Sequence, residues 1–407
     1  MPLRINPARL RADFDALARI GAAGAGVCRP ALSANHLAAR AWLRERILAA
    51  GLEFRQDAAG NYSGILRAAS PAGRTLLLGS HTDSVPNGGR YDGALGVLAA
   101  LEVLRTVQDA SLELPVHLEA IDFTDEEGAL VGLMGSRALT GALTPGELAQ
   151  PRGGLAALRD GFARAGITDP LGAARPPGSL AGFLELHIEQ GPRLIEAGAD
   201  IGIVSAIVGI GSFRLTFGGR ADHAGTTPMH ARRDAGLGAA EFMVRARELV
   251  TRDFPGCVIN FGRAAFEPGA YNIVPERAEL ALEFRSPAQA ELDALEAALL
   301  GEARRVAAAC RLDLEAVKQG CVSPAPCAPE ARAAFAAAAD DLGLRHIPLV
   351  SGAGHDTQAL AAACPAGMIF IPSTGGSHNP GEFAEWEACV NGANVLLGAA
   401  IGGWLDS

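Results

Sequence analysis

Short apolar runs that end in loops of histidines and acids constrain this chain more than any other feature. Thr75–Leu78 runs directly into Gly79–Val97 (GSHTDSVPNGGRYDGALGV), Val116–Phe123 into Thr124–Gly128 (TDEEG), and Phe183–Ile188 into Glu189–Pro192. Apolar runs of that length, followed by helix-like segments such as Ala94–Val107, read as buried strands of an α/β sheet. In such sheets the reactive groups collect in the loops at the strand ends. His81 and Asp92 are thus expected at one strand end, flanking one loop.

The rest of the chain fits this rhythm. Leu10, Phe14 and Leu17 share helical spacing, and a second helix is expected from a Ser33 cap through Leu37, Leu43 and Ile47 to a stop at Gly51. Phe54–Leu66 reads as a hairpin turning at Gly60-Asn61. Thr140–Leu180, rich in Ala, Gly and Pro, reads as loops with one short helix. From about Ser205 the texture changes: strand Phe213–Phe217, helix Asp234–Val250, strands Cys257–Gly262 and Ala278–Phe284, and helix Pro287–Cys310. That order predicts a small inserted α/β sandwich of ferredoxin-like type. Pro324 and Pro326 mark the return, so the chain divides into 1–209 with 324–407, and an inserted 210–323. A further helix is expected over Ala331–Leu342.

Composition removes several function classes. A chain of 407 residues has room for two domains, and 49% hydrophobic residues can bury a sizeable core. A net charge of −10 with dispersed arginines argues against nucleic acid as the main partner. No run is long and apolar enough to cross a bilayer; the nearest, Val390–Trp404, is interrupted by Asn391, Asn394 and glycines. The first residues, MPLRINPARLRADFD, lack the apolar core of a signal peptide. Seven scattered cysteines without a CxxC pair predict reduced thiols and a cytoplasmic protein.

The loops carry the chemistry. Neutral imidazole and carboxylate both ligate divalent metals. Adjacent Glu126 and Glu127 face different ways, so one can bind metal while the other acts as general base. Together His81, Glu127, His187 and His378 could give each of two metals its own pair of ligands, with Asp92 shared and Asp83 holding His81 in the right tautomer. Each signal alone also admits a plainer reading. His81 and Asp92 could form a turn, Glu126-Glu127 an acidic helix start, and His187 a satisfied core histidine.

Taken in order, GSHTDSVPNGGRYDGALGV, DFTDEEG, ELHIEQGP, GRADHAGTTPM, SGAGHD and GGSHNPGE resemble the dinuclear zinc aminoacylase/carboxypeptidase superfamily. The branch they resemble is the amidase/hydantoinase/carbamoylase enzymes, since His187-Ile-Glu-Gln-Gly-Pro stands where the peptidases usually place a carboxylate ligand. The resemblance runs from Gly79 to Glu382. It implies a metal-binding catalytic domain with a central mixed sheet, and an inserted dimerisation or lid domain. It implies His81 and His187 on one metal, Glu127 and His378 on the other, Asp92 as bridge, Glu126 as general base and Asp83 as orienter of His81. Zn is the default metal; Mn, Co or Ni also suit such ligands.

In the inserted domain, the resemblance implies that His223 stabilises the oxyanion in the active site of a second copy, hence a homodimer. Asn272 and Arg285 would hold the substrate carboxylate, a task for which a planar guanidinium is suited. Gln190 would meet the carbamoyl or amide end, and Gly352 and Gly354 would offer backbone N–H groups. The implied activity is hydrolysis of the C–N bond of an N-carbamoyl (ureido) acid, first an N-carbamoyl-L-amino acid, otherwise allantoate or β-ureidopropionate. An aminoacylase or dipeptidase is the rival among hydrolases, and a non-catalytic binding protein the rival outside them. Ala129-Leu130-Val131 and Ser373–Ser377 depart from the family's usual pattern, which leaves the side-chain pocket open. His355 is expected to make a structural hydrogen bond.

Overall fold

The computed structural model describes residues 2–69 and 73–402. Two compact units emerge: residues up to Ser205 together with those from Pro326 on, and Ala206–Ala325.

The larger unit is built on a mixed sheet. Strand Thr75–His81 pairs in parallel with His117–Phe123 on one side and Leu180–Ile188 on the other. Ala366–Ile371 continues the parallel set beyond Leu180–Ile188. Ile201–Ile207 and the hairpin Glu53–Gln56/Tyr62–Leu66 add antiparallel strands at the two sides. The chain leaves Thr75–His81 in opposite directions, first to 117–123 and later to 180–188. A crevice opens at the carboxyl ends of strands at such a reversal. His81, Thr124–Gly128 and His187 all sit at those ends.

The sequence explains why this sheet is central. Leu76, Leu77, Leu78, Leu184, Leu186 and Ile369 are all fully buried, as parallel strands covered on both faces require. Helix Ala94–Asp109 is buried from Ala94 to Val107, with Glu102, Arg105 and Thr106 the polar exceptions in that span, a core helix rather than an amphipathic one. Ser33 caps helix Ala34–Ala49 by accepting the His36 N–H, and Gly51 follows its end. Of the apolar stretch Val390–Trp404, residues 403 and 404 lie outside the described residues. Residues 390–401 belong to helix Trp386–Ile401, which Gly402 ends. No helix among the described residues is long and apolar enough to cross a membrane.

The smaller unit has the order strand–helix–strand–strand–helix–strand. Its antiparallel sheet runs Val258–Glu267, Arg277–Ser286, Gly209–Gly218, Asp313–Val322. Helices Ala235–Asp253 and Gln289–Ala309 pack on it through Phe213, Phe217, Phe242, Leu280, Leu295 and Leu299. Burial alternates along Gly209–Gly218 and Arg277–Ser286, because only one face is covered. The closing strand Asp313–Val322 adds to the elements expected from sequence. In the other unit, Thr140–Leu180 holds helices Pro145–Ala149 and Leu155–Ala165 and a turn of 3-10 helix, more structure than one short helix.

Candidate metal centre

The strand ends bring two donor sets together. His81, Asp92 and His187 form one, and Asp92, Glu127 and His378 the other; within each, one ligand atom per residue lies within 4.8 Å of the rest. Asp92 is common to both. Its Oδ1 lies 3.0 Å from His187 Nε2 and 3.6 Å from His81 Nε2, and its Oδ2 lies 3.5 Å from His378 Nε2. Glu127 Oε2 is 3.4 Å from His378 Nε2, and Glu126 Oε2 is 3.5 Å from His81 Nε2.

Local structure fixes the ring orientations. His81 Nδ1 lies 3.0 Å from the Asp83 carbonyl, and His187 Nδ1 lies 2.9 Å from the Ile188 carbonyl. A carbonyl only accepts, so each Nδ1 carries the proton and each Nε2 offers its lone pair towards Asp92. Asp83 therefore holds His81 through its main chain; its Oδ1 is 3.8 Å away. The Asp83 carboxylate turns instead to the main chain of the acidic pair, accepting the Glu127 N–H at 3.3 Å. Gly93, with φ of +60°, lies against the His81 ring, and an added Cβ would collide with that ring. Asp125, Gln190 and His378 are non-glycine residues with φ of 58°, 62° and 58°. Left-handed conformations at three positions around one cluster are strain of the kind that gathers at functional sites.

The electrostatics fit divalent cations. Burial, then the charges of Asp356, Glu127, Asp92 and Asp83, pushes the Glu126 carboxyl well above its ordinary range. Burial, then Asp92 and Asp83, pushes Glu127 up as well. Burial and Asp122 raise Asp83 to about 7. Asp356 adds two buried carboxyl oxygens without hydrogen-bond partners, and Asp83 Oδ1 is a third. Asp92 goes the other way: burial raises it, but the neighbouring imidazoles, His187 first, then His81 and His378, outweigh that and hold it below the usual range. So dense a set of buried carboxyls lacks compensating positive charge, which bound cations would supply. His187 makes the same point. Burial lowers it, yet Asp92 raises it to about 9, which would place a proton on Nε2. The Gly93 N–H already points at that nitrogen from 3.1 Å. A proton on Nε2 would face that N–H head-on, so the nitrogen keeps its lone pair.

The other residues singled out from the sequence are placed as follows. Gln190 Nε2 is 2.9 Å from Asp92 Oδ2 and 3.0 Å from Ser377 Oγ, so its amide N–H groups are already engaged at the donor cluster. Gly352 and Gly354 lie in the turn between Ser351 and helix Asp356–Leu360, with open space beyond Gly352. His355 is buried; it packs edge-on to His187 at 4.6 Å and meets Ser351 Oγ at 3.0 Å. In the inserted unit, His223 is exposed and its Nδ1 accepts the Gly225 and Thr226 N–H groups at 3.0 and 3.1 Å. The neutral ring thus carries its proton on Nε2. Asn272 lies beside His223, accepting the Ala224 N–H at 3.0 Å where Asp222–His223 pairs with Ile273–Val274. Arg285 is elsewhere in that unit, 2.7 Å from Glu283.

Three supports behind the cluster escaped sequence reasoning. Asp122 accepts from Thr82 N at 2.8 Å, Thr82 Oγ1 at 2.9 Å and Arg40 Nε at 2.9 Å, and Arg40 also donates to the Phe123 carbonyl at 2.9 Å. Glu185 accepts from Ser80 at 2.7 Å and from Thr357 N at 3.0 Å, tying three strand-end segments together. Glu382, the last residue of GGSHNPGE, grips the Asp92 loop. Alternation along the strands could have flagged Glu185 and Asp122 as buried charges; nothing comparable marks Glu382.

Known proteins share this arrangement of sequence. The pattern of peptidase family M20/M25/M40 matches residues 77–401. The N-carbamoyl-L-amino acid amidohydrolase of Geobacillus stearothermophilus is 38% identical over 378 residues, covering 91% of this chain and 92% of that protein. The allantoate amidohydrolase of Bacillus subtilis is 31% identical, over 93% of each chain. The crystal structure of a hydantoinase/carbamoylase family amidase from Burkholderia multivorans is similar at a TM-score of 0.91 and 32% identity, covering 98% of both chains. With its motifs, its mixed sheet and its length all accounted for, the chain belongs to peptidase family M20/M25/M40, in the hydantoinase/carbamoylase amidase branch.

Proposed function

We propose that this chain is a metal-dependent amidohydrolase that cleaves the C–N bond of an N-carbamoyl-L-amino acid. The observation that carries the reading is the sharing of Asp92 between two His/carboxylate sets, with the Glu126 carboxylate 3.5 Å from His81. The names of the relatives supply the substrate class. His81, Asp92 and His187 would hold one cation, and Asp92, Glu127 and His378 the other. Two divalent ions, zinc by default with manganese, cobalt or nickel also compatible, would polarise the carbamoyl carbonyl and acidify a water shared between them.

The chain's own residues do the rest. Glu126 takes the water's proton on its carboxylate and returns it to the leaving amine nitrogen. A carboxyl pushed up by burial suits a base that must also give the proton back. The water's oxygen stays on the carbamoyl carbon, the amino acid leaves, and the carbamic acid so formed splits into carbon dioxide and ammonia. His223, with its proton on Nε2, is of the right polarity to donate to the oxyanion. Asn272 and Arg285 take the substrate carboxylate, and Gln190 and the Gly352–Gly354 turn line the carbamoyl end.

Residues 1–209 with 324–407 serve in this reading as the catalytic domain, and 210–323 as the dimerisation and lid domain. The inserted unit supports two copies acting together. Asn272 and His223 lie beyond the Arg277 end of strand Arg277–Ser286, whereas Arg285 is near its other end. Eight residues of strand span roughly 25 Å. One small substrate cannot touch both ends of one copy, so His223 and Asn272 of one copy would act with Arg285 of the other in a homodimer. All seven cysteines are free thiols, which supports a reducing, cytoplasmic setting.

An ammonia-release assay tests the reading, with N-carbamoyl-L-amino acids, β-ureidopropionate and allantoate, and with zinc and manganese each supplied. N-carbamoyl-L-amino acids should turn over fastest. Turnover confined to N-acyl amino acids or dipeptides would move the chain to the aminoacylase reading. Binding without turnover of any of them would make it a binding protein.

A further inference from the structure

Glu382 belongs to neither donor set, yet it is only 5% exposed and sits against both. Its Oε1 accepts the main-chain N–H groups of Tyr91 and Asp92, each at 3.1 Å. Its Oε2 is 2.7 Å from Ser377 Oγ, next to His378. One side chain thus fastens the loop of Asp92 to the loop of His378. The Asp92 loop is moulded onto it: a Cβ added at Gly89 would collide with the Glu382 carboxyl.

The hydrogen bonds also partition the Asp92 carboxylate. Ser377 Oγ lies 3.1 Å from Asp92 Oδ2 as well, but a hydroxyl has one proton to give. Given to Glu382 over the shorter distance, it leaves Gln190 Nε2, at 2.9 Å, as the donor on Asp92 Oδ2. Burying a carboxyl beside a second one is unfavourable in itself, and an apolar residue would avoid that cost. What Glu382 adds is a fixed direction for Asp92.

We infer that Glu382 is a positioning residue for the shared Asp92, so that both donor sets depend on it. The inference rests on the reading of Asp92 as a ligand of two cations. Loss of an end ligand such as His378 should weaken one cation. Loss of Glu382 should weaken both, by about 10–100-fold, as removing groups that orient metal ligands does. Glu382→Gln keeps an oxygen for the two N–H groups but donates to Ser377 instead of accepting from it, and should fall between Glu382→Ala and the unaltered chain.

The test is zinc titration against a competing chelator on the full-length, metal-stripped protein, comparing the unaltered chain, Glu382→Ala, Glu382→Gln and His378→Ala. Thermal melts of each stripped variant report folding. Two weakened zinc equivalents in a folded Glu382→Ala are expected. Two equivalents at unaltered affinity, or loss of one alone as in His378→Ala, overturn the inference. If Glu382→Ala does not fold, Glu382→Gln decides: unaltered affinity for both equivalents overturns it. An unaltered chain that takes up no zinc removes the metal reading and this inference together. Two equivalents bound without ammonia release would defeat only the substrate reading.

Discussion

His81, Asp92, Glu127 and His187 and the trio His223, Asn272 and Arg285 are built in opposite ways. The first group sits at strand ends, buried or nearly so, each ring fixed by a carbonyl and each carboxylate crowded by others. The second lies on the surface of the inserted unit, split between the ends of one strand. Burial orients ligands before anything binds, at the cost of charge repulsion that the fold must offset. The second set escapes most of that cost, with His223 resting on the Gly225 and Thr226 N–H groups and Arg285 beside Glu283. The contrast teaches which residues the fold of a single chain can pre-organise.

The sharpest way to break this contrast is at Glu126. Glu126→Gln should lower kcat by about 10²–10⁴-fold, since an amide cannot carry the proton. Zinc content should stay unchanged, and near-normal turnover would end the general-base assignment. Next comes the scaffold behind the buried group. Asp122→Ala leaves Arg40 buried without its carboxylate and should cost about 3–5 kcal/mol in chemical denaturation. A change under about 1 kcal/mol would mean the buried pair is not what holds these strand ends.

His223→Ala should lose about 10²–10³-fold in kcat, the worth of an oxyanion donor, while leaving the melting temperature unmoved. Mixed with Glu126→Gln protein after subunit exchange, it should recover up to about a quarter of normal activity through the one intact site of each hybrid dimer. No recovery would sink the two-copy arrangement. A fall in stability matching Asp122→Ala would erase the contrast itself.

The mildest effect concerns acid. His36 is fully buried and its Nδ1 accepts the Leu32 N–H at 2.9 Å, so the ring must be neutral. Burial, then Arg40, pushes it well below 6.5. Below 6.5 the unfolded chain binds more protons than the native one, so its contribution is full above that pH and fades as the pH falls. His36→Gln, whose amide oxygen can take over the Leu32 N–H, should flatten the drop in melting temperature between pH 6.5 and pH 5. An unchanged slope would place the acid sensitivity in other groups.

The contrast also explains what could be read from sequence. His187 stands near the end of the mostly apolar FLELHI, which by itself also fits a satisfied core histidine; only with His81 and Asp92, from distant segments, does it read as a donor. The inserted sandwich was legible up to its last strand. Asp313–Val322 escaped because this edge strand is mostly exposed and carries Asp313, Glu315, Lys318 and Gln319, which blur its alternation. The part of Asp83 was half legible. Spacing brought it to His81, but whether a carbonyl or a carboxylate makes the contact depends on backbone direction. Ile201–Ile207 and Ala366–Ile371 are apolar runs without a polar marker. Glu382 was hidden for a related reason: a glutamate after Pro-Gly looks like surface until tertiary packing closes a loop over it.

The sharing of Asp92 has a consequence in time. Its first donor set is complete once His187 has been synthesised; the second waits for His378. The interval is 378 − 187 = 191 residues, from numbering alone. At typical ribosomal speeds that is roughly 10–40 s. Within that window a growing chain holds every residue of one donor set and two of the three residues of the other, while Glu382, which fastens Asp92, is still to be made, so the orientation of the residue common to both sets comes last.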